Sequence, residues 1–118
     1  MKISRHDVAS YTTKDSSEIR ELLHPNNSSA VNQSLAEASI SSGQTTAAHF
    51  HKTTEEIYYI LEGSGKMFLD GRTFAVTRGD SILIKPGQTH CIENTGDEEL
   101  RLLCCCSPAY QHEDTFLV

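Results

Sequence analysis

The sequence predicts an all-β fold, a small barrel or sandwich of short antiparallel strands. From Val31 onward the apolar residues recur at period two, as half-buried strands require. Turns rich in glycine interrupt the short apolar runs at regular spacing: Ser41-Ser42-Gly43, Gly63-Ser64-Gly65, Arg78-Gly79-Asp80, Lys85-Pro86-Gly87 and Thr95-Gly96-Asp97. Asp70-Gly71, flanked by apolar residues, is the signature of a two-residue hairpin turn.

The elements follow in chain order. Residues 1–14 alternate weakly around Ile3 and Val8 and suit an edge strand. Asp15-Ser16-Ser17-Glu18 reads as a capping box, with Asp15 as N-cap and Glu18 at the third helical position. Ile19, Leu22 and Leu23 then form an apolar stripe that Pro25 ends, which predicts a short helix of about two turns lying outside the barrel. Residues 31–40 and 45–51 read as strands, and a turn at 52–55 leads into a strand from Glu56 to Leu61. Lys66–Leu69 pairs with Thr73–Val76 around the Asp-Gly turn. Ser81–Ile84, Thr89–Glu93 and Leu100–Cys106 follow, and Pro108 closes the series. Three segments are therefore expected: an N-terminal arm with a short helix (1–30), a β-barrel (31–107) and a C-terminal tail (108–118). Tyr110, His112, Glu113 and Asp114 could cover the barrel mouth, but loose termini are common and a surface tail is the expectation.

The chemistry concentrates in residues 43–63. His49 and His51 share one face of a strand while Phe50 points the other way. An H-x-H pair alone is commonly two surface histidines. Here an acidic pair, Glu55 and Glu56, follows across a turn that folds a carboxylate back beside the imidazoles, and a further histidine, His90, lies in a second Gly-rich stretch. Neutral imidazoles and a carboxylate meeting at one point can hold a divalent transition metal.

Together these stretches resemble the paired motifs of the cupin superfamily. The first motif reads G-x5-H-x-H-x4-E-x6-G, and Gly43, His49, His51, Glu56 and Gly63 fill its fixed places. The second reads G-x5-P-x-G-x2-H-x3-N, matched by Gly79, Gly87, His90 and Asn94. Lys85 stands where the pattern has proline, with Pro86 one place later. The resemblance covers residues 43–94 and implies a cupin-type jelly roll of two facing sheets. Its register selects Glu56 over Glu55, so the implied metal ligands are His49, His51, Glu56 and His90 around one divalent ion of manganese, iron, nickel, copper, cobalt or zinc. Four ligands leave positions open on an octahedral ion for water, dioxygen or a chelating substrate.

Strand alternation predicts what else faces the interior. If Glu56 points in, so do Tyr58 and Ile60. Met67 and Leu69 face inward if Lys66 and Asp70 face solvent, and Leu102, Cys104 and Cys106 do so if Arg101 faces out. Tyr58, Met67 and Cys104 are thus candidate substrate-lining residues of a largely apolar pocket, with core packing as the plain alternative. A metal-dependent enzyme acting on a small organic molecule is the leading expectation, dioxygenase- or lyase-like, with Glu56 as a possible base by analogy with the family. A sugar-phosphate isomerase-like activity would need basic residues at the cavity, and only Lys85, Arg72 and Arg78 stand near. A binding module without turnover is the third reading.

Composition bounds the rest. A chain of 118 residues makes one domain. A net charge of −6 without any basic cluster argues against a nucleic-acid partner. No apolar run approaches the roughly 20 residues that span a bilayer. The N-terminus lacks the apolar core of a secretory signal, so a cytoplasmic location is expected. Cys91 and the run Cys104, Cys105, Cys106 offer neither a disulfide framework nor the spaced pairs of a structural zinc site, and read as free thiols. A homodimer is expected, with residues 1–10 or 31–40 as the edges that a partner would cover.

Overall fold

The period-two pattern resolves into eleven strands in the computed structural model, which describes residues 1–118. They are β1 (Tyr11–Thr12), β2 (Glu18–Leu23), β3 (Ser34–Ile40), β4 (His49–His51), β5 (Glu55–Glu62), β6 (Ser64–Leu69), β7 (Arg72–Thr77), β8 (Ser81–Ile84), β9 (His90–Asn94), β10 (Leu100–Ser107) and β11 (Thr115–Leu117). One antiparallel sheet runs β1-β2-β3-β10-β5-β8 and the other β11-β4-β9-β6-β7. This is the two-sheet jelly roll that the sequence leads one to expect.

Alternation sets the interior. Glu56, Tyr58 and Ile60 on β5, and Leu100, Leu102, Cys104 and Cys106 on β10, all turn inward. Ile60, Met67, Ile84, Ile92, Leu100 and Leu102 lose essentially all solvent contact, and each contributes roughly 1.5–3 kcal/mol by burial. Gly65 explains its own identity: a Cβ there would stand 2.8 Å from the Glu93 carbonyl oxygen and 3.0 Å from Leu100. The hairpin forms at Asp70 (φ 49°) and Gly71 (φ 86°), the left-handed pair that its turn type needs.

Three expectations need correcting. Residues 15–23 hold no helix. The Asp15 carboxylate does accept the Ser17 N–H, as a cap would, but Ser16 takes a left-handed φ of 75° and the Thr13 N–H bonds the Ser17 carbonyl. That turn sends the chain back as a strand, with Tyr11 opposite Ile19 and β2 laid along β3. An isolated helix of two turns is marginal in water, whereas β2 completes a ladder on an otherwise bare strand. The C-terminal tail is likewise part of the barrel, because β11 pairs with β4, Thr115 opposite His51. Lastly, β3 lies between β2 and β10 and offers no free edge, and the only regular structure within residues 1–10 is a 3-10 turn at Arg5–Asp7. The barrel therefore extends on both sides of residues 31–107. No helix is long and apolar enough to cross a membrane.

Candidate metal centre

The three-residue strand β4 is clamped on both sides. His49 stands opposite His90 at the start of β9, and His51 opposite Thr115 on β11. His49 and His51 face inward and are buried, while Phe50 points out and stacks on Phe116 at 5.3 Å. Three imidazoles thus meet from two adjacent strands of one sheet. Glu56 reaches them from β5 of the facing sheet. Glu55, its neighbour, is exposed.

Imidazole centroids lie 4.3 Å apart for His49 and His90, 5.1 Å for His49 and His51, and 5.6 Å for His51 and His90. One ring nitrogen of each falls within 4.8 Å of the others, so the cluster could hold a metal ion. Each ring is oriented from behind by a backbone carbonyl. The Nδ1 atoms of His49, His90 and His51 lie 2.9, 3.0 and 3.2 Å from the carbonyl oxygens of Ala47, Gln88 and Asp114. A proton on each Nδ1 satisfies those carbonyls and leaves the Nε2 lone pairs free to ligate. Glu56 Oε1 approaches the Nε2 atoms of His51 (3.4 Å) and His90 (3.5 Å), while its Oε2 accepts a long hydrogen bond from the Cys106 thiol (3.4 Å). Glu56 Oε1 and His90 Nε2 are buried without any hydrogen-bond partner.

The electrostatics follow from burial and these neighbours. Burial pushes the Glu56 carboxyl up, but the His51 and His90 imidazoles beside it outweigh that and hold it at about 2. Burial and the neighbouring His90 lower His49, keeping it neutral. Burial also lowers His51, yet Glu56 more than offsets it and the net shift is upward. The Tyr58 phenol and the Cys104 and Cys106 thiols are pushed up, chiefly by burial, and stay protonated at neutral pH.

Two motif positions have structural explanations. The Asn94 side chain donates to the carbonyls of Ile40 and Glu98 and accepts the Gly96 N–H, fastening the turn before β10. At the departure from the second motif, Lys85 and Gln88 close the turn with mutual hydrogen bonds, and the Gly87 N–H reaches the His51 carbonyl at 2.6 Å.

A cavity of ≈ 40 Å³ adjoins the histidines. Tyr58, Cys104 and Cys106 line it, and the Tyr58 ring meets His90 edge-on at 5.9 Å. Met67 does not; it is fully buried in the apolar core, beside Ile92 in the ladder between β6 and β9. Lys85, Arg72 and Arg78 are exposed and none lines the cavity.

Sequence reasoning missed Asp15 and Glu21 and left Tyr110 on a tail. Asp15 is buried with its Oδ2 3.8 Å from His49 Nε2, held there by the Ala47 N–H, which bonds the Asp15 carbonyl at 2.7 Å. Thr13, Asp15, Ser17, Ile19 and Glu21 all line the cavity. Every second residue points inward, a strand signal that the helical reading of Ile19, Leu22 and Leu23 had covered. Asp114 also does more than a tail residue would: its carboxylate receives the N–H groups of Lys52, Thr53 and Thr54 and the Thr53 hydroxyl.

Comparison with known proteins agrees with this architecture. Residues 36–106 match a family model described as a cupin domain. The chain is 53% identical over 115 residues to the uncharacterized protein MJ1618 of Methanocaldococcus jannaschii, covering 98% of this chain and 92% of that one. It is 32% identical over 95 residues to the polyketide synthase CurC of Streptomyces cyaneus, covering 80% of this chain but only 62% of CurC. Among solved structures, the polyketide cyclase RemF from Streptomyces resistomycificus superposes with a TM-score of 0.81 at 26% identity, over 100% of this chain and 84% of RemF.

Proposed function

The chain belongs to the cupin family, and on that premise we propose that His49, His51, His90 and Glu56 hold one divalent transition metal and that the protein is a metal-dependent enzyme acting on a small organic molecule. The observation that carries this reading is the orientation of the donors: three Nδ1 atoms tied to backbone carbonyls, and Glu56 Oε1 and His90 Nε2 buried with no partner. Buried polar atoms are seldom left unpaired, and a cation at their focus would satisfy both. When bound, the ion would supply Lewis-acid polarisation of substrate oxygens, or activation of dioxygen if it is iron, manganese or copper.

The chain's own residues divide the remaining work. The Cys106 thiol holds Glu56 Oε2, which leaves Oε1 turned toward the imidazoles. Glu56 is the proposed base, acting when displaced toward substrate. Ile19, Ile92 and Leu102 wall the cavity and exclude water from it. The likeness to a polyketide synthase protein and a polyketide cyclase supports cyclisation-type, lyase or oxygen-dependent chemistry on a carbonyl-bearing substrate. The sugar-phosphate isomerase reading lacks the basic side chains that would hold a phosphate.

The test is turnover of a panel of diketones, catechols and organic acids by metal-loaded protein, with dissolved oxygen monitored. Oxygen uptake marks the redox chemistry, and product without oxygen uptake marks the lyase or cyclase chemistry. Ligand binding without turnover across the panel would replace the enzyme with a binding module. We further propose a homodimer in the cytoplasm. Its support is the set of exposed apolar residues Ile57, Tyr59 and Leu83 on the outer face of the six-stranded sheet, together with four free cysteines, which suit a reducing compartment. A scattering mass of one chain would refute the dimer.

A further inference from the structure

The cavity beside the histidines is smaller than the molecules it would serve. Its ≈ 40 Å³ has room for about three waters, so a catechol or a diketone enters only if part of the wall moves. Among the lining residues, Thr13, Glu21 and Tyr110 are half-buried and all the others are buried, so these three form the mouth.

Two of the three are tied in place. Thr13 lies in the tight turn before β2, its hydroxyl donating to Asp15 Oδ1 and its N–H to the Ser17 carbonyl. Glu21 stands within β2, opposite Ala36 of β3, and its Oε1 accepts the Tyr11 hydroxyl. Tyr110 is fastened through its main chain: the N–H donates to the Ser34 hydroxyl at 2.9 Å, and the carbonyl accepts from His24 Nε2 at 2.7 Å. The segment around it is fixed as well, since Lys14 Nζ donates to the carbonyls of His112 and Thr115, and the Thr54 hydroxyl to that of Pro108. The ring itself has no such anchor across the mouth. It meets His51 edge-on at 6.0 Å, and its phenol is steadied by Thr115 of the same C-terminal segment. Beyond it lies an outer space of ≈ 600 Å³ that Tyr110 also lines, and that His49, His51 and His90 do not. A ring turned about its Cα–Cβ bond has room there while the main chain stays put.

We infer that the Tyr110 ring is the gate of this cavity and sets the size of molecule that reaches the histidines. That the molecule admitted is a substrate rests on the enzyme reading above; that the ring bars the way rests on the geometry alone. A ring that stands open about a tenth of the time or less slows entry at least about tenfold relative to a mouth without it.

Cys104 and Cys106 are buried and line the cavity, so they report entry without metal or turnover. The experiment is labelling of the metal-free full chain carrying Cys91→Ser and Cys105→Ser with methylmercury and the bulkier phenylmercury. Mass spectrometry follows the reaction, and each rate is scaled to that of free cysteine. Phenylmercury should label at least about tenfold more slowly than methylmercury. Tyr110→Ala should raise the phenylmercury rate at least about tenfold, and Tyr110→Phe, which keeps the ring, should leave it unchanged. An unchanged rate in Tyr110→Ala would overturn the inference, as would Tyr110→Phe matching Tyr110→Ala. So would an equal gain in Gly65→Ala, whose new methyl meets Glu93 and Leu100 rather than the mouth, because labelling would then report global opening. No ion enters the measurement, so a chain that shows this ranking but binds no metal defeats only the metal reading.

Discussion

Replacing Asp114 with alanine tests whether the C-terminal segment is structural. The Asp114 carboxylate receives four groups from residues 52–54: the N–H of Lys52, Thr53 and Thr54, and the Thr53 hydroxyl at 2.7 Å. Those residues form the turn between His51 and Glu56. Fully buried, hydrogen bonds to a charged group would each contribute about 1.5–3 kcal/mol. This carboxylate is only partly buried, so screening reduces the whole set to the scale of a lost helix cap, about 1–2 kcal/mol. For a domain of this size that is a fall of roughly 4–8 °C in melting temperature. Burial raises the Asp114 carboxyl, but the hydrogen bonds from Thr53, Thr54 and Lys52 together outweigh it and hold it below its ordinary value. A depressed carboxyl contributes stability above its unfolded pKa and loses it as the pH falls through the folded one. The difference between wild type and variant should therefore be full at pH 7 and shrink below about pH 4. Asp114→Asn, which keeps one acceptor oxygen, should fall between the two. Thermal melts of the metal-free proteins from pH 3 to 7 measure this; equal melting temperatures at pH 7 would refute the structural role of the segment.

Other outcomes follow from the same geometry. Glu56→Gln should lower metal affinity by at least about tenfold while Glu55→Ala leaves it unchanged, since Glu55 is exposed and Glu56 faces the histidines; titration with a chromophoric metal competitor would reveal the reverse pattern if the register is wrong. Gly65→Ala should destabilise by about 1–3 kcal/mol, because the new methyl meets the Glu93 carbonyl at 2.8 Å and backbone yields little; wild-type urea unfolding would contradict it.

What was legible in the sequence is what alternation and spacing encode. His49, His51 and Glu56 sit on strands whose parity fixes their faces, and His90 heads a strand whose register with β4 is pinned by the turn at Gly87. The same parity places Tyr58, Leu102 and Cys104 correctly. It places Met67 inside as well, but facing inward is not facing the cavity, and only packing separates the two. Asp15-Ser16-Ser17-Glu18 was misread because a capping residue and a turn residue offer the same local hydrogen bond to the N–H two positions on; the outcome was decided by β3, a partner fifteen or more residues away in sequence. The pairing of β11 with β4 joins residues more than sixty positions apart, and nothing local in Thr115-Phe116-Leu117 announces it. The carbonyls that orient the imidazoles carry no side-chain identity at all, so no motif could name them.

Elemental analysis of the chain purified without added metal, run beside His51→Ala, addresses the metal centre most directly. A single divalent transition ion per wild-type chain, absent from the variant, is the expected result. Metal-free wild-type protein that also fails to bind any of the six candidate ions on titration, or equal metal in both proteins, would contradict it.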